Sequence, residues 1–326
     1  MATYKEIQGE AVVNTSSDIT SEGQVFYNSG ENAYKLAAAT SSPSWASGGN
    51  YPANIQRQAG FGTQTATVNA SGYLATAYST QTAEYDGTSW TAANASPAAL
   101  ESPGGGGVLT AGFICGGESP APAKVTTTAE YDGTNWTAGG NLGTGRSSLM
   151  VAGTQTAGIA AGGGPGSSPG FTTSTEEYDG SSWTSGGALP TAKRNNRGFG
   201  TQTAGLNLAG ETPPSGNVNT TEHYDGSSWT SGGNLAATAS NMDGEGVQTA
   251  GLATGGGPTT TTCQLYDGTS WSPTASMANA RTLHATTGGN YLSALATGGA
   301  PPAGATNATE EFNGPGQPAV ETIDVT

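Results

Sequence analysis

The sequence predicts an all-β fold, a six-bladed β-propeller of four-stranded blades whose ring is closed by an N-terminal strand, and three observations carry that expectation. All six tryptophans fall at near-even intervals: Trp45, Trp90, Trp136, Trp183, Trp229 and Trp271 are 45, 46, 47, 46 and 42 residues apart, a period at which one repeat is one propeller blade. Five of them end the same short phrase, EYDGTSW (84–90), EYDGTNW (130–136), EYDGSSW (177–183), HYDGSSW (223–229) and LYDGTSW (265–271). The composition, with 53 Gly and only 10% charged residues, is far from a helical mix. The recurrent aromatics set it apart from a disordered Gly/Ser/Thr chain.

The chain opens with a leader, residues 1–43, in which Ile7, Val12 and Val13 precede GQVFYNSGENAYKL (23–36). Two aromatic-bearing runs around Asn-Ser-Gly predict a hairpin. The leader is too small for a core of its own and is expected to dock, on the propeller or on a neighbouring subunit, as an anchor. The propeller itself spans 44–314. In each repeat Asp-Gly joins a Tyr-bearing strand to a Trp-bearing strand, because Gly tolerates positive φ and Asp caps the turn. Two further strands come from the segment before, as in NNRGFGTQTAGLNLAG (195–210), where small residues suit strands crowded near an axis. The structural pairs are therefore Tyr85 with Trp90, Tyr131 with Trp136, Tyr178 with Trp183, Tyr224 with Trp229 and Tyr266 with Trp271.

After Trp271 a sixth inner pair runs through TLHATTGGNYLSALATGG (282–299), and EEFNG (310–314) follows with Phe312 where the Tyr should stand and no Trp after it. SWASGG (44–49) is an outer strand with no inner strands of its own. Trp45 is thus expected to complete the last blade and join the two ends of the ring, leaving no open edge. The tail, 315–326, could add a stray strand or dangle.

The double Gly that closes the second strand (Gly116 and Gly117, Gly163 and Gly164, Gly256 and Gly257, Gly298 and Gly299), followed by Tyr-Asp and then Trp, resembles the kelch repeat over about 44–314. The first repeat lacks it near Thr76 and Ala77, the fourth has Ala209 and Gly210, and the sixth has Phe312 for Tyr. The wording GTQTAG, EYDGTNWTAGGNL (130–142) and EGQVFYNSGENAYK (22–35) is similar to kelch-like structural proteins of marine bacteriophages, tail-associated ones above all. That resemblance implies a virion setting, many copies, and other virion proteins as partners through the leader.

A formal charge of −15 repels a phosphate backbone, which excludes nucleic acid as a partner. No apolar run is long enough to span a bilayer and the start has no secretory pattern, so a soluble chain without membrane insertion is expected. Cys115 and Cys263 stand at non-equivalent points of different repeats and read as free thiols. Of the two histidines, His223 replaces a Glu of the repeat and reads as surface drift. His284, three residues after Arg281, reads as a structural hydrogen-bonding residue. Neither has metal or triad spacing, and a copper oxidase site is ruled out by their scarcity. Asp86, Asp132, Asp179, Asp225 and Asp267 are explained by turn geometry. No catalytic residue, metal or cofactor is expected, and the chain reads as a non-enzyme.

One face gathers the loops after the double Gly and the loops between blades. Seven of the nine basic residues fall there: Arg57, Lys124, Arg146, Lys193, Arg194, Arg197 and Arg281. The loops ESPAPAKVTT (118–127), GPGSSPGFTTST (164–175), ETPPSGNVNTT (211–221) and GPTTTTC (257–263) differ in length and sequence, as binding loops do. These seven are the candidate ligand-binding residues, against the plainer alternative that they start inner strands and balance nearby acids. Sugar stacking has little support in the loops. The expected function is a structural and interaction component of a phage tail; the alternative is an adhesin that holds a host receptor or glycan on this face.

Overall fold

The computed structural model describes residues 13–15, 25–29, 33–37, 42–166, 170–214, 216–316 and 320–322. They form two compact units, Ser44–Asn313 and a smaller one from 1–43 with 314–326. In the smaller unit Val25–Asn28 pairs antiparallel with Ala33–Ala37, the hairpin expected of the leader, with Tyr27 opposite Tyr34. Val13–Thr15 adds in parallel to the first of these strands, and Val320–Thr322 of the tail adds antiparallel to the second. Ile7 and Val12 lie outside the described residues.

The larger unit is all-β and propeller-like, with no helix among the described residues. Four meanders stand as separate four-stranded antiparallel sheets, the first being Gly104–Val108, Ala111–Cys115, Thr128–Tyr131 and Trp136–Ala138. The other three begin with Met150–Thr154, Arg197–Thr201 and Asp243–Val247. In place of two more separate sheets there is one of eight strands, in which Ala59–Thr63 meets Ala285–Asn290 through the single parallel pair Thr63 and Gly288. At the point of merger the register of Ala285–Asn290 with Ser293–Thr297 slips between Thr287 and Asn290. Gly288 also carries no side chain where a Cβ would lie 2.3 Å from the Ser293 carbonyl oxygen. At the far end of this sheet Ser44–Ser47 pairs antiparallel with Thr309–Asn313, placing Trp45 opposite Phe312.

Small residues let the repeats nest. A Cβ on Gly112 would sit 2.0 Å from the Phe61 ring, and one on Gly251 2.2 Å from Phe199, so the phenyl group of one repeat fills the space left by the glycine of the next. Each Tyr packs on the Trp of its own repeat, with ring centroids 4.8 Å apart for Tyr131 and Trp136 and 4.7 Å for Tyr266 and Trp271; Phe312 packs on Trp45 at 5.1 Å. Such pairs contribute about 0.5–1.5 kcal/mol each beyond their burial.

Up to three side chains of a repeat then reach back to the one before. The phenols of Tyr131, Tyr178 and Tyr224 donate to Glu84, Glu130 and Glu177 at 2.5 Å. The indoles of Trp136, Trp183 and Trp229 donate to Thr82, Thr128 and Thr175. The amides of Gln202 and Gln248 donate to the carbonyls of Tyr178 and Tyr224, both at 2.8 Å. In the first repeat the same three bonds run from Tyr85 to Glu311, from Trp90 to Thr309 and from Gln64 to the Phe312 carbonyl.

Candidate functional site

The loop-rich face is organised by one backbone position per repeat. Arg57, Ser102, Ser148, Asn195, Asn241 and Leu283, each just ahead of a first strand, adopt φ between 51° and 60°. Such a left-handed conformation is costly for a branched residue like Leu283 and persists only where the surroundings impose it. Here the N–H of each donates to the carbonyl of the equivalent residue in the repeat before: Ser102 to Arg57, Ser148 to Ser102, Asn195 to Ser148, Asn241 to Asn195, Leu283 to Asn241, and Arg57 back to Leu283, at 2.8–3.0 Å. The six form a collar.

Beside the collar, the second residue of each double-Gly site donates its N–H to the next repeat, as Gly117 does to Arg146, Gly163 to Lys193 and Gly256 to Arg281, so two of the pairs are Gly162–Gly163 and Gly255–Gly256, one residue ahead of the Gly163–Gly164 and Gly256–Gly257 pairs expected from the sequence. Ser71 and Gly72 do the same in the first repeat, with φ of 58° and 105° and Gly72 bonded to Leu100. The first repeat therefore keeps its double-Gly equivalent, at Ser71 and Gly72 rather than near Thr76 and Ala77.

The seven basic candidates separate into three groups. Arg146, Lys193 and Arg281 are 0–1% exposed and are not surface groups. Arg146 donates to Glu176 at 2.9 Å, Lys193 to both oxygens of Glu222 at 2.7 Å, and Arg281 to Glu310. Each pair lies within one repeat. Burial lowers the pKa of all three cations, and the facing carboxylate opposes the shift. These three leave the candidate binding set, because a ligand cannot reach them.

Arg57, Lys124 and Arg194 are brought together. They line a mouth of about 590 Å³ over the collar, with Glu101, Glu118 and Asn195. Each is matched by a carboxylate: Arg57 with Glu101 at 2.9 Å, Lys124 with Glu118, and Arg194 with Glu211 at 3.0 Å. Burial lowers the Lys124 ammonium from its ordinary value. The Arg194 guanidinium also lies 4.8 Å from the centre of the Phe171 ring. Phe171, with the edge-to-face pair Tyr73 and Tyr78, means that the loops do carry aromatic surface.

Arg197 stands apart, in an axial cavity of about 130 Å³ lined by the first strands. Its guanidinium donates to the carbonyls of Leu149 and Asn196. Asp243 and Glu245, two positions apart and therefore on one face of their strand, line the same cavity. Burial pushes Asp243 up to about 6 and Glu245 up to about 7, with Arg197 pulling Asp243 back. Neither carboxylate was legible in the sequence as a site residue, since neither recurs at the repeat period.

The remaining candidates are structural. His223 is not surface drift: its Nε2 lies 2.9 Å from the Tyr266 hydroxyl, in the place where other repeats use Glu. His284 is buried, bonded to Thr254 at 2.8 Å, and held well below its ordinary pKa by burial. Cys115 and Cys263 are free and buried, with thiols raised to about 12 by burial. The Asp-Gly aspartates are exposed and accept the N–H groups two and three residues on, as Asp225 does from Ser227 and Ser228. Those bonds hold Asp179 and Asp225 at about 2. Among the described residues no three His, Cys, Asp or Glu side chains gather as a metal site, and no helix is long and apolar enough to cross a membrane.

No protein-family model matches the chain, and no curated protein matches it. Among solved structures it is similar to that of YjhT, at a TM-score of 0.67 and 12% identity over 85% of this chain and 99% of that one. The likeness is one of fold and supports a propeller.

Proposed function

We propose that Ser44–Asn313 is a six-bladed, kelch-type propeller closed by strand 44–47, and that it is a non-catalytic structural and interaction component of a bacteriophage virion, displayed on the tail. The observation that carries the architecture is the collar, whose six residues return to their starting point through N–H to carbonyl bonds. On this reading the eight-stranded sheet is two blades sharing one parallel pair, and Ser44–Ser47 is the outer strand of the last blade. A ring latched at each junction by Tyr, Trp or Gln suits rigid display.

The virion setting rests on the resemblance of GTQTAG, EYDGTNWTAGGNL and the leader wording to phage structural proteins. The leader, 1–43, is the proposed contact with other virion proteins. The second reading, an adhesin, is favoured by the mouth. Three cations alternate there with carboxylates beside an aromatic ring, and such a rim can hydrogen-bond a polar host receptor or glycan.

Binding separates the two readings. The full chain and a chain lacking 1–43 are applied to intact host cells and to dissociated tail parts. Leader-dependent binding to tail parts supports the structural role. Binding to cells that survives removal of the leader but is lost in a variant with Arg57, Lys124 and Arg194 changed to Ala supports the adhesin. Binding to neither target sinks both.

A further inference from the structure

The mouth over the collar carries hydroxyls that the fold itself does not use. Ser102 and Ser147 are each 5% exposed, and both line the mouth together with Ser148. The backbone N–H groups of Ser102 and Ser148 are spent in the collar, but none of the three hydroxyls takes part in a hydrogen bond among the described residues. Their oxygens are not sealed in and keep access to the open volume of the mouth. A polar group so nearly buried is normally bonded, and here the partner has to stand in the mouth.

The charged lining narrows the class of guest. Arg57, Lys124 and Arg194 are each matched by a carboxylate, Glu101, Glu118 and Glu211, so an anion finds no spare positive charge, and the net charge of −15 opposes it further. Glu101 and Glu118 each give one oxygen to their cation and leave the other without a bond among the described residues. Aromatic rings stand beside two of the three pairs. Phe171 lies against the Arg194 guanidinium, and Tyr78, edge-to-face with Tyr73 at 5.5 Å, feels the charges of Glu101 and Arg57.

We propose that the mouth binds an uncharged oligosaccharide, with its hydroxyls on Ser102, Ser147, Ser148 and the Arg–Glu pairs. Serine hydroxyls donate and accept, guanidinium groups only donate and carboxylates only accept. Sugar hydroxyls do both, so they can bond such a mixed lining without bringing a charge. The neighbouring rings offer apolar surface to the C–H face of a pyranose, and about 590 Å³ is within the size range of small-ligand sites. The proposal deepens the adhesin reading, on which its host setting rests.

The test applies the full chain to a printed array of neutral oligosaccharides (gluco-, galacto- and manno-configured) beside sialylated and uronate-containing ones. Saturable binding of a neutral oligosaccharide is expected, weakened about ten-fold or more when Ser102→Ala, Ser147→Ala and Ser148→Ala are combined. The melting temperature should change little, because the lost hydroxyls bond nothing else in the chain. Binding of acidic saccharides only, of none, or equally by the variant overturns the proposal. Should the triple variant fold poorly, crystals of the unaltered chain soaked with the best-bound oligosaccharide provide a second arm: sugar density over Ser147 supports the site, and density confined to other surfaces overturns it. Binding to host cells is measured in parallel, before and after periodate oxidation of sugar diols. Cell binding that survives periodate overturns the saccharide and leaves the adhesin standing. Absence of binding to untreated cells sinks the adhesin, while the array still decides the saccharide.

Discussion

Phe312 and Leu265 pack in one apolar cluster with Cys263, and together they replace a polar latch. At four other junctions a Tyr in the place of Phe312 donates to a Glu in the place of Leu265, as Tyr131 does to Glu84 at 2.5 Å, and at a fifth Tyr266 meets His223. At this junction both hydrogen-bonding partners are gone. The Thr that accepts from Trp is gone as well, replaced by Cys263, and Trp45 donates instead to the Ala275 carbonyl at 2.9 Å. The physical reason is that a buried hydroxyl or carboxylate without its partner is costly, so the two are kept or dropped as a unit.

That coupling is measurable. Phe312→Tyr alone and Leu265→Glu alone should each destabilise the protein by about 1–2 kcal/mol, because each buries a polar group without a partner. The double variant should recover at least about 1 kcal/mol of the summed loss, read from a double-mutant cycle in chemical denaturation. Strict additivity would mean that the latch does not form at this junction.

The buried ion pairs obey the same logic. The slot of Arg146, Lys193 and Arg281 holds Ile55, Leu100 and Ala239 in the other three repeats, as the bonds from the double-Gly sites identify it. The partner slot holds Glu176, Glu222 and Glu310 in the first group and Ala83, Ala129 and Gln264 in the second. Arg146→Leu alone strands Glu176, which is 8% exposed, and should cost about 3–5 kcal/mol. Adding Glu176→Ala reproduces the Leu100 and Ala129 pairing of the preceding repeat and should bring stability back to within about 1–2 kcal/mol of the starting protein. Equal loss in the single and double variants would argue that the ion pair itself, and not the avoidance of a lone charge, stabilises the repeat.

Much of the fold was legible because its signals recur. The Trp period, the Asp-Gly turn and the small inner strands each report the same geometry several times over. The Gln of the TQT turn also recurs, at Gln64, Gln155, Gln202 and Gln248, but its target is a backbone carbonyl of another repeat, which no sequence pattern displays. Basic residues could be placed at the start of first strands, while their burial depended on a Glu about 30 residues on. Comparing repeats side by side would have exposed that pairing. Asp243 and Glu245 occur once each, and a residue that breaks the period is indistinguishable from drift until the strands are assembled around an axis.

Closure can be tested by shortening the chain. Trp45 packs on Phe312, and strand Ser44–Ser47 covers the edge of Thr309–Asn313. A chain beginning at Ser44 keeps that strand, whereas one beginning at Asn50 leaves the edge unpaired and Phe312 uncovered. The second should melt well below the first and aggregate more readily, because an exposed strand edge is a template for other chains. Equal melting temperatures by calorimetry would sink the closure.

The half-buried carboxylates of the axial cavity, Asp243 and Glu245, give stability a pH dependence of a definite sign. Burial raises Asp243 from 3.8 to about 6 and Glu245 from 4.5 to about 7. A carboxyl whose folded value lies above its unfolded value binds more protons in the native state. Its support for folding is therefore complete below about pH 4 and is lost as the pH rises through about 7. His284 acts in the other direction: the folded protein keeps it neutral where the unfolded chain protonates it, so its effect lowers stability as the pH falls below about 6.5. The two trends oppose each other in wild type, but comparison with Glu245→Gln cancels the histidine. The variant should match wild type near pH 4 and be more stable by about 1–3 kcal/mol near pH 8, a figure kept below the full shift because Glu245 is partly open to channel solvent. Urea titrations across that range decide the matter: a difference that does not change with pH would mean that Glu245 ionises as freely in the folded protein as in the unfolded chain.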